Sequence, residues 1–183
     1  MFGMAGIMGA AASSPASVIQ FGWQTGIANH AVSTTDGPDD TMIATPGSSW
    51  GTCGLGAYPI TAGKVSVDVK ILAVSSPNRL GVGISRVSNI ASYTPNAIYN
   101  STNAAFCKGS EVNAIAVNDI ITIEVDYVAG TVTVNKNNTL VQTSSFTPGG
   151  NTWYFAFDEN EDSPSWQFVP QVYAPPGYTK VNP

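Results

Sequence analysis

Charge is what this 183-residue chain has least of: charged residues are 10% of it, against roughly a quarter in an average soluble domain. The Lys and Arg residues number seven and are spread singly from Lys64 to Lys180. No basic stripe exists to neutralise a phosphate backbone, which excludes nucleic acid as a partner. Histidine occurs once, at His30 beside Asn29, and no nucleophile-elbow motif accompanies it, which argues against a Ser-His-Asp hydrolase and leaves no catalytic residue to name. No run of about eighteen apolar residues is present, so no helical membrane span is expected. Cysteine is nearly absent too. Cys53 and Cys107 suffice for one disulfide in an oxidising compartment and serve equally as small core residues.

What replaces the missing charge is Gly, Ser, Thr, Asn and Val, a composition of turns and strands rather than helices. Residues 1–20 are apolar, small and interrupted by Gly3, Gly6 and Gly9, with no sustained helical period. They end in small residues as a secretory signal does but lack its positive segment. They read as an extended arm, and Phe2, Met4, Ile7 and Met8, poorly suited to water, mark it as a docking segment for a larger partner.

Residues 21–183 read as a single domain. Phe21, Trp23, Met42 and Ile43 pin one or two early strands among long loops. From Lys64 to Leu72, Val65, Val67, Val69 and Ile71 alternate with polar residues, which predicts a strand with one wet face. In Leu80–Ser85, Leu80, Val82 and Ile84 alternate with Gly81, Gly83 and Ser85, leaving one face of small residues for close packing. The clearest unit runs from Asn118 to Asn138, where two alternating runs flank Val128-Ala129-Gly130 as a β-hairpin. Asn137-Asn138 supplies the next turn, since Asn tolerates positive φ. Thr152–Asp158 gives another strand, and Trp166, Phe168 and Val172 alternate before a proline-rich finish that is not expected to join a central ladder. Short strands at regular spacing make the chain all-β, an antiparallel two-sheet β-sandwich.

Between Ser88 and Val112 the periodicity is lost, and long excursions of that kind are often functional. Tyr93 and Tyr99 there, with Trp50 in an earlier loop, are the candidate ligand-binding aromatics, while Trp153, Phe155 and Trp166 are assigned to the core. The acidic run from Asp158 to Asp162 includes Asp158, Glu159, Glu161 and Asp162; such oxygens can hold calcium, but the spacing matches no EF-hand loop and a solvated loop is favoured, so no metal or other cofactor is assigned. A glycosidase-like carboxylate pair could be sought among these acids and Asp126; Glu124 and Asp126 share one strand face, about 7 Å apart by strand rise, and, alternating with core residues, are expected to face solvent or a concave groove.

The order of these pieces resembles the SPRY family of concanavalin-like sandwiches: Val82-Gly83-Ile84 as the VG-rich strand, Asn118-Asp119-Ile120 as the GD-type turn, Val125 to Val134 as the long hairpin, and Lys136-Asn137-Asn138 as the NG turn. Asn118 and Asn138 stand where the family has Gly, keeping turn-compatible chemistry. The ending, with Tyr173, Pro175, Pro176, Gly177, Tyr178 and Lys180, resembles that of SPRY-like proteins of tailed bacteriophages. The resemblance covers residues 60 to 182 and implies a jelly-roll sandwich on a virion surface, as tail fibre or appendage for host attachment or as head decoration. The implied partners are other virion proteins through the arm, within a symmetric assembly, and a host surface glycan. A free carbohydrate-binding, lectin-like module is the alternative, and a concanavalin-like glycosidase the third reading.

Overall fold

The computed structural model of the protein describes residues 19–20, 30–33, 41–44, 51–55, 58–74, 80–86, 104–108, 115–159, 165–169, 172–173 and 175–182. The docking-arm residues Phe2, Met4, Ile7 and Met8, the aromatics Trp50, Tyr93 and Tyr99, and Glu161 and Asp162 lie outside them. Within them the elements are strands: β1 (Ile19–Gln20), β2 (His30–Ser33), β3 (Thr41–Ala44), β4 (Gly51–Leu55), β5 (Lys64–Ala73), β6 (Leu80–Ser85), β7 (Ala104–Lys108), β8 (Ile120–Asp126), β9 (Thr131–Lys136), β10 (Thr139–Ser145), β11 (Tyr154–Glu159), β12 (Ser165–Val169) and β13 (Thr179–Asn182). No helix among the described residues is long and apolar enough to cross a membrane.

Two sheets form. The larger follows the order β10-β9-β8-β5-β12-β3-β2, with β13 paired to β5 and β1 to β13; the smaller is β4-β11-β6-β7. The apolar face of each is set by alternation. Val65, Val67, Val69 and Ile71 of β5 sit beside Ile121, Ile123 and Val125 of β8 and Val132 and Val134 of β9. All pack with Val82 and Ile84 of β6 and Phe155 and Phe157 of β11 in one buried core. The expected two-sheet sandwich is the observed one, with two short parallel pairings, β1–β13 and β13–β5, added to an otherwise antiparallel frame.

The Asn-rich turns carry the backbone as their chemistry predicts. Asn118, Asn137 and Asn138 have φ of 73°, 50° and 64°, values that Asn tolerates and other side-chain-bearing residues avoid. The two turns are clasped together. Asn137 Nδ2 donates to Asp119 Oδ1 (2.7 Å), Asn137 Oδ1 accepts from the Ile120 N–H (2.9 Å), and Asp119 Oδ2 accepts from the Ala116 N–H (2.8 Å). The β8–β9 turn is tied down by the Ala129 N–H on Asp126 Oδ1 (2.9 Å) and ends in Gly130 at φ 66°. A Cβ at Gly130 would stand 2.6 Å from the Phe146 carbonyl oxygen, which itself belongs to the backbone. Gly130→Ala is therefore expected to cost about 2 kcal/mol or more, from left-handed strain plus that clash, read as a lower urea midpoint at unchanged slope.

Several sequence expectations need correction. The second face of β5 is not wet at its centre: Ser66 and Asp68 are wholly buried, and Val172 and Tyr173, from the segment between β12 and β13, bond Asp68 from above. That same segment explains why the proline-rich finish does reach a central strand. Pro175 and Pro176 lie in the excursion, and the proline-free Thr179–Asn182 returns to pair in parallel with β5, Thr179 opposite Val65. Val172 leaves the strand alternation and is 63% exposed. The Ser88–Val112 excursion contains a strand, β7, paired along β6, which Ala-Ala-Phe-Cys-Lys does not announce by alternation. Among the described residues, three strands rather than one or two lie between residues 21 and 56, and His30 opens the first of them. Ile19 and Gln20, at the end of the arm, enter the sheet opposite Val181 and Asn182.

Candidate functional site

The outer face of the larger sheet carries the polar half of each alternation: Ser66 and Asp68 on β5, Thr122 and Glu124 on β8, Thr133 and Asn135 on β9. Register places Asp68 opposite Thr122, Ser66 opposite Glu124, and Thr122 opposite Asn135. A carboxylate buried in the middle of a sheet face needs donors to survive there, and Asp68 has three. Thr122 Oγ1 donates to Oδ1 at 2.7 Å; the backbone N–H groups of Val172 and Tyr173 donate to Oδ2 at 2.6 and 3.0 Å. Asp68 thus clamps Val172 and Tyr173, in the excursion between β12 and β13, onto the sheet across a sequence separation of more than a hundred residues.

The excursion and the hairpin bound a pocket of about 370 Å³, lined by Glu124, Asn138, Val172, Tyr173, Pro175 and Pro176. Its acid is Glu124, whose Oε1 accepts from Asn135 Nδ2 at 2.7 Å. Beneath the far end of the excursion, Lys64 Nζ bonds Asp126 Oδ2 at 2.8 Å and stands 5.6 Å from the centre of the Tyr178 ring. The chain ending from Tyr173 to Lys180 is therefore structural in part. Tyr173, Pro175 and Pro176 wall the pocket, Gly177 turns the chain at φ 84°, and Tyr178 and Lys180 follow into β13.

The carboxylates of this face are shifted in opposite directions. Burial pushes Asp68 up from the ordinary carboxylate range, against the hydrogen bonds from Thr122, Tyr173 and Val172 and the attraction of Lys180. Burial also raises Glu124, opposed by the Asn135 bond and reinforced by the like charge of Asp68. Asp126 moves the other way, held down by its hydrogen bond from Lys64 and by the turn N–H of Ala129. For acids raised in the folded state, proton binding favours the fold. Their contribution is complete below the unfolded values and is lost as pH rises through the folded ones. The urea midpoint is expected to rise as pH falls from 7.5 towards the upper edge of the ordinary carboxylate range, and Asp68→Asn is expected to flatten that rise. An unchanged profile in Asp68→Asn would remove Asp68 as its source.

Of the residues proposed from sequence, Glu124 and Asp126 are the pair that the described structure places on this face, and it separates their roles: Glu124 lines the pocket, whereas Asp126 is engaged by Lys64 and Ala129. Asp158 and Glu159 form the end of β11, so the acidic run begins inside a strand. No group of three or more His, Cys, Asp or Glu suited to a metal ion occurs among the described residues. Cys53 and Cys107 lie on β4 and β7, the two edges of the smaller sheet. Three inter-strand steps separate those edges by roughly 14 Å, about twice the Cα separation that a disulfide spans. Sequence reasoning missed Asp68, Asn135 and the pocket itself. The available signal was a lone acid in the middle of an otherwise Val-rich strand.

Comparison with known proteins adds the fold. No protein-family model matches the chain, and no curated protein matches it. Among solved structures, the SPRY domain of human HERC1 superposes with a TM-score of 0.55 at 16% identity, over 84% of this chain and 100% of that one. The chain has the SPRY fold. The NHR1 domain of Neuralized from Drosophila melanogaster gives a TM-score of 0.61 at 11% identity, covering 83% of this chain and 99% of its own. A solution structure of the NHR domain of the same fly protein gives 0.58 at 13%, over 88% and 95%.

Proposed function

We propose that this chain is a non-catalytic binding domain displayed on the surface of a tailed-phage particle, as a tail appendage or head decoration, and attached through residues 1–18. The observation that carries binding rather than catalysis is the state of the carboxylates on the outer face. Two-carboxylate glycoside hydrolysis needs a pair open to one substrate. Here Asp68 is fully buried under three donors, Asp126 is bonded to Lys64, and Glu124 is the acid that lines the pocket. The SPRY-like fold carries its function in surface features grafted on the sandwich rather than in the core.

The particle reading rests on the phage-like ending from Tyr173 to Lys180 and on the apolar residues Phe2, Met4, Ile7 and Met8. The test is to add purified protein to particles from a producer in which its gene is disrupted. The full chain is expected to rebind, and a folded variant with Phe2, Met4, Ile7 and Met8 changed to Ser is expected not to. Failure of the full chain to rebind would overturn the particle reading.

A further inference from the structure

Glu124 is a half-buried carboxylate in a polar recess with no cation paired to it among the described residues, and the geometry points to the pocket under Pro175–Pro176 as a receptor for a single arginine side chain presented by a partner protein. This inference rests on the reading of the domain as a binding module and names the chemistry of the bound group.

Size comes first. A recess of about 370 Å³ lies at the small end of ligand sites, enough for one side chain and too small for an extended oligosaccharide. Charge comes second. Asn135 occupies one oxygen of Glu124, and the charge acting on Glu124 among the described groups is that of Asp68, of the same sign. The described lysines nearest this face have other tasks: Lys64 pairs with Asp126, Lys136 lies 4.0 Å from Asp119, and Lys180 acts on Asp68.

The chain's first third cannot supply the missing cation from Lys or Arg either, because the first of these residues is Lys64. No described basic group thus supplies a counter-charge to Glu124, and the net charge of −5 favours the approach of a basic group from a partner. Shape selects between the two basic side chains. Tyr173, Pro175, Pro176 and Val172 form an apolar and aromatic wall beside the acid, with the Asn138 amide completing the lining. A guanidinium is planar, weakly hydrated and able to lie on such a wall while its fork meets a carboxylate; a compact, strongly hydrated ammonium is less suited to both.

The experiment is a titration of isotopically labelled full-length protein, followed by amide chemical shifts. The probes are acetyl-Gly-Arg-Gly-amide, its citrulline analogue, which has the same shape without the charge, and methyl glucoside. Saturable shifts at Glu124, Asn138, Val172 and Tyr173 are expected with the arginine peptide. A single side chain at a half-open site should bind with a dissociation constant on the order of 1 mM. The citrulline peptide, and the arginine peptide on Glu124→Gln, are each expected to bind at least about tenfold more weakly, the scale of a charge-assisted contact. Glu124→Gln keeps the oxygen that Asn135 needs, and a dispersed amide spectrum will show that it is folded. Equal binding of arginine and citrulline, no shifts at the pocket, or saturation by the glucoside alone would overturn the inference. Particle rebinding reads the proposed display separately: a negative titration with rebinding intact overturns the arginine pocket and leaves the display standing.

Discussion

Asp68→Ala is expected to lower stability by about 3 kcal/mol at neutral pH and to release the excursion at Val172 and Tyr173, whereas Asp68→Asn is expected to cost only about 1 kcal/mol. The alanine leaves three donors without an acceptor: the Thr122 hydroxyl and the N–H groups of Val172 and Tyr173. Those two N–H groups can recover partners in water only if the excursion lifts from the sheet, which dismantles the pocket wall formed by Tyr173, Pro175 and Pro176. Asparagine retains one oxygen for both N–H groups and can donate its amide to Thr122 Oγ1. It also removes the burial penalty that raises the Asp68 carboxyl. Urea unfolding gives the energies, and hydrogen exchange at Val172 and Tyr173 gives the location. Protection lost in Asp68→Ala and kept in Asp68→Asn is the expected pattern; equal loss in both would mean that the negative charge, not the acceptor geometry, holds the excursion.

Trp153→Ala is expected to cost about 4 kcal/mol, and Trp153→Phe less than about 2 kcal/mol. Trp153 is fully buried, stacks edge-on to Phe146 with ring centres 4.7 Å apart, and bridges Ile60 through backbone hydrogen bonds of 2.7 and 2.9 Å. Truncation to Ala opens a cavity among residues of both sheets. The indole Nε1 has no hydrogen-bond partner, although it is buried. Phenylalanine removes that unsatisfied group while filling most of the space, so the relief offsets part of the lost contact. Thermal or urea unfolding of the two variants measures the difference. Equal losses would show that the indole N–H contributes to the fold through a partner.

The parts of the fold that were legible are those where one local rule decides. In β5, β8 and β9 the apolar residues alternate without interruption, and each run became a strand with that face in the core. At Asn118, Asn137 and Asn138 the tolerance of Asn for positive φ marks the turns directly. What alternation cannot carry is which second surface covers a strand. Ser66 and Asp68 look like a solvent face in the sequence, yet both are buried, and Asp68 is bonded by a segment that follows a hundred residues later. For the same reason the pocket was not legible. Glu124 was visible as a candidate acid, but the wall opposite it comes from Val172, Tyr173, Pro175 and Pro176, a stretch whose prolines spoke only of exclusion from a ladder. Parallel pairing of β13 with β5 follows from a reversal within that stretch, a long-range event with no local signature.

The most direct measurement of the central claim is immunogold electron microscopy of the producing phage with antibody raised against residues 60–183. A particle-displayed binding domain predicts gold at the tail end, for a host-binding appendage, or spread over the head, for a decoration protein. Particles free of label, in a preparation where the antibody recognises the purified protein, would contradict the display and leave a free binding module in its place.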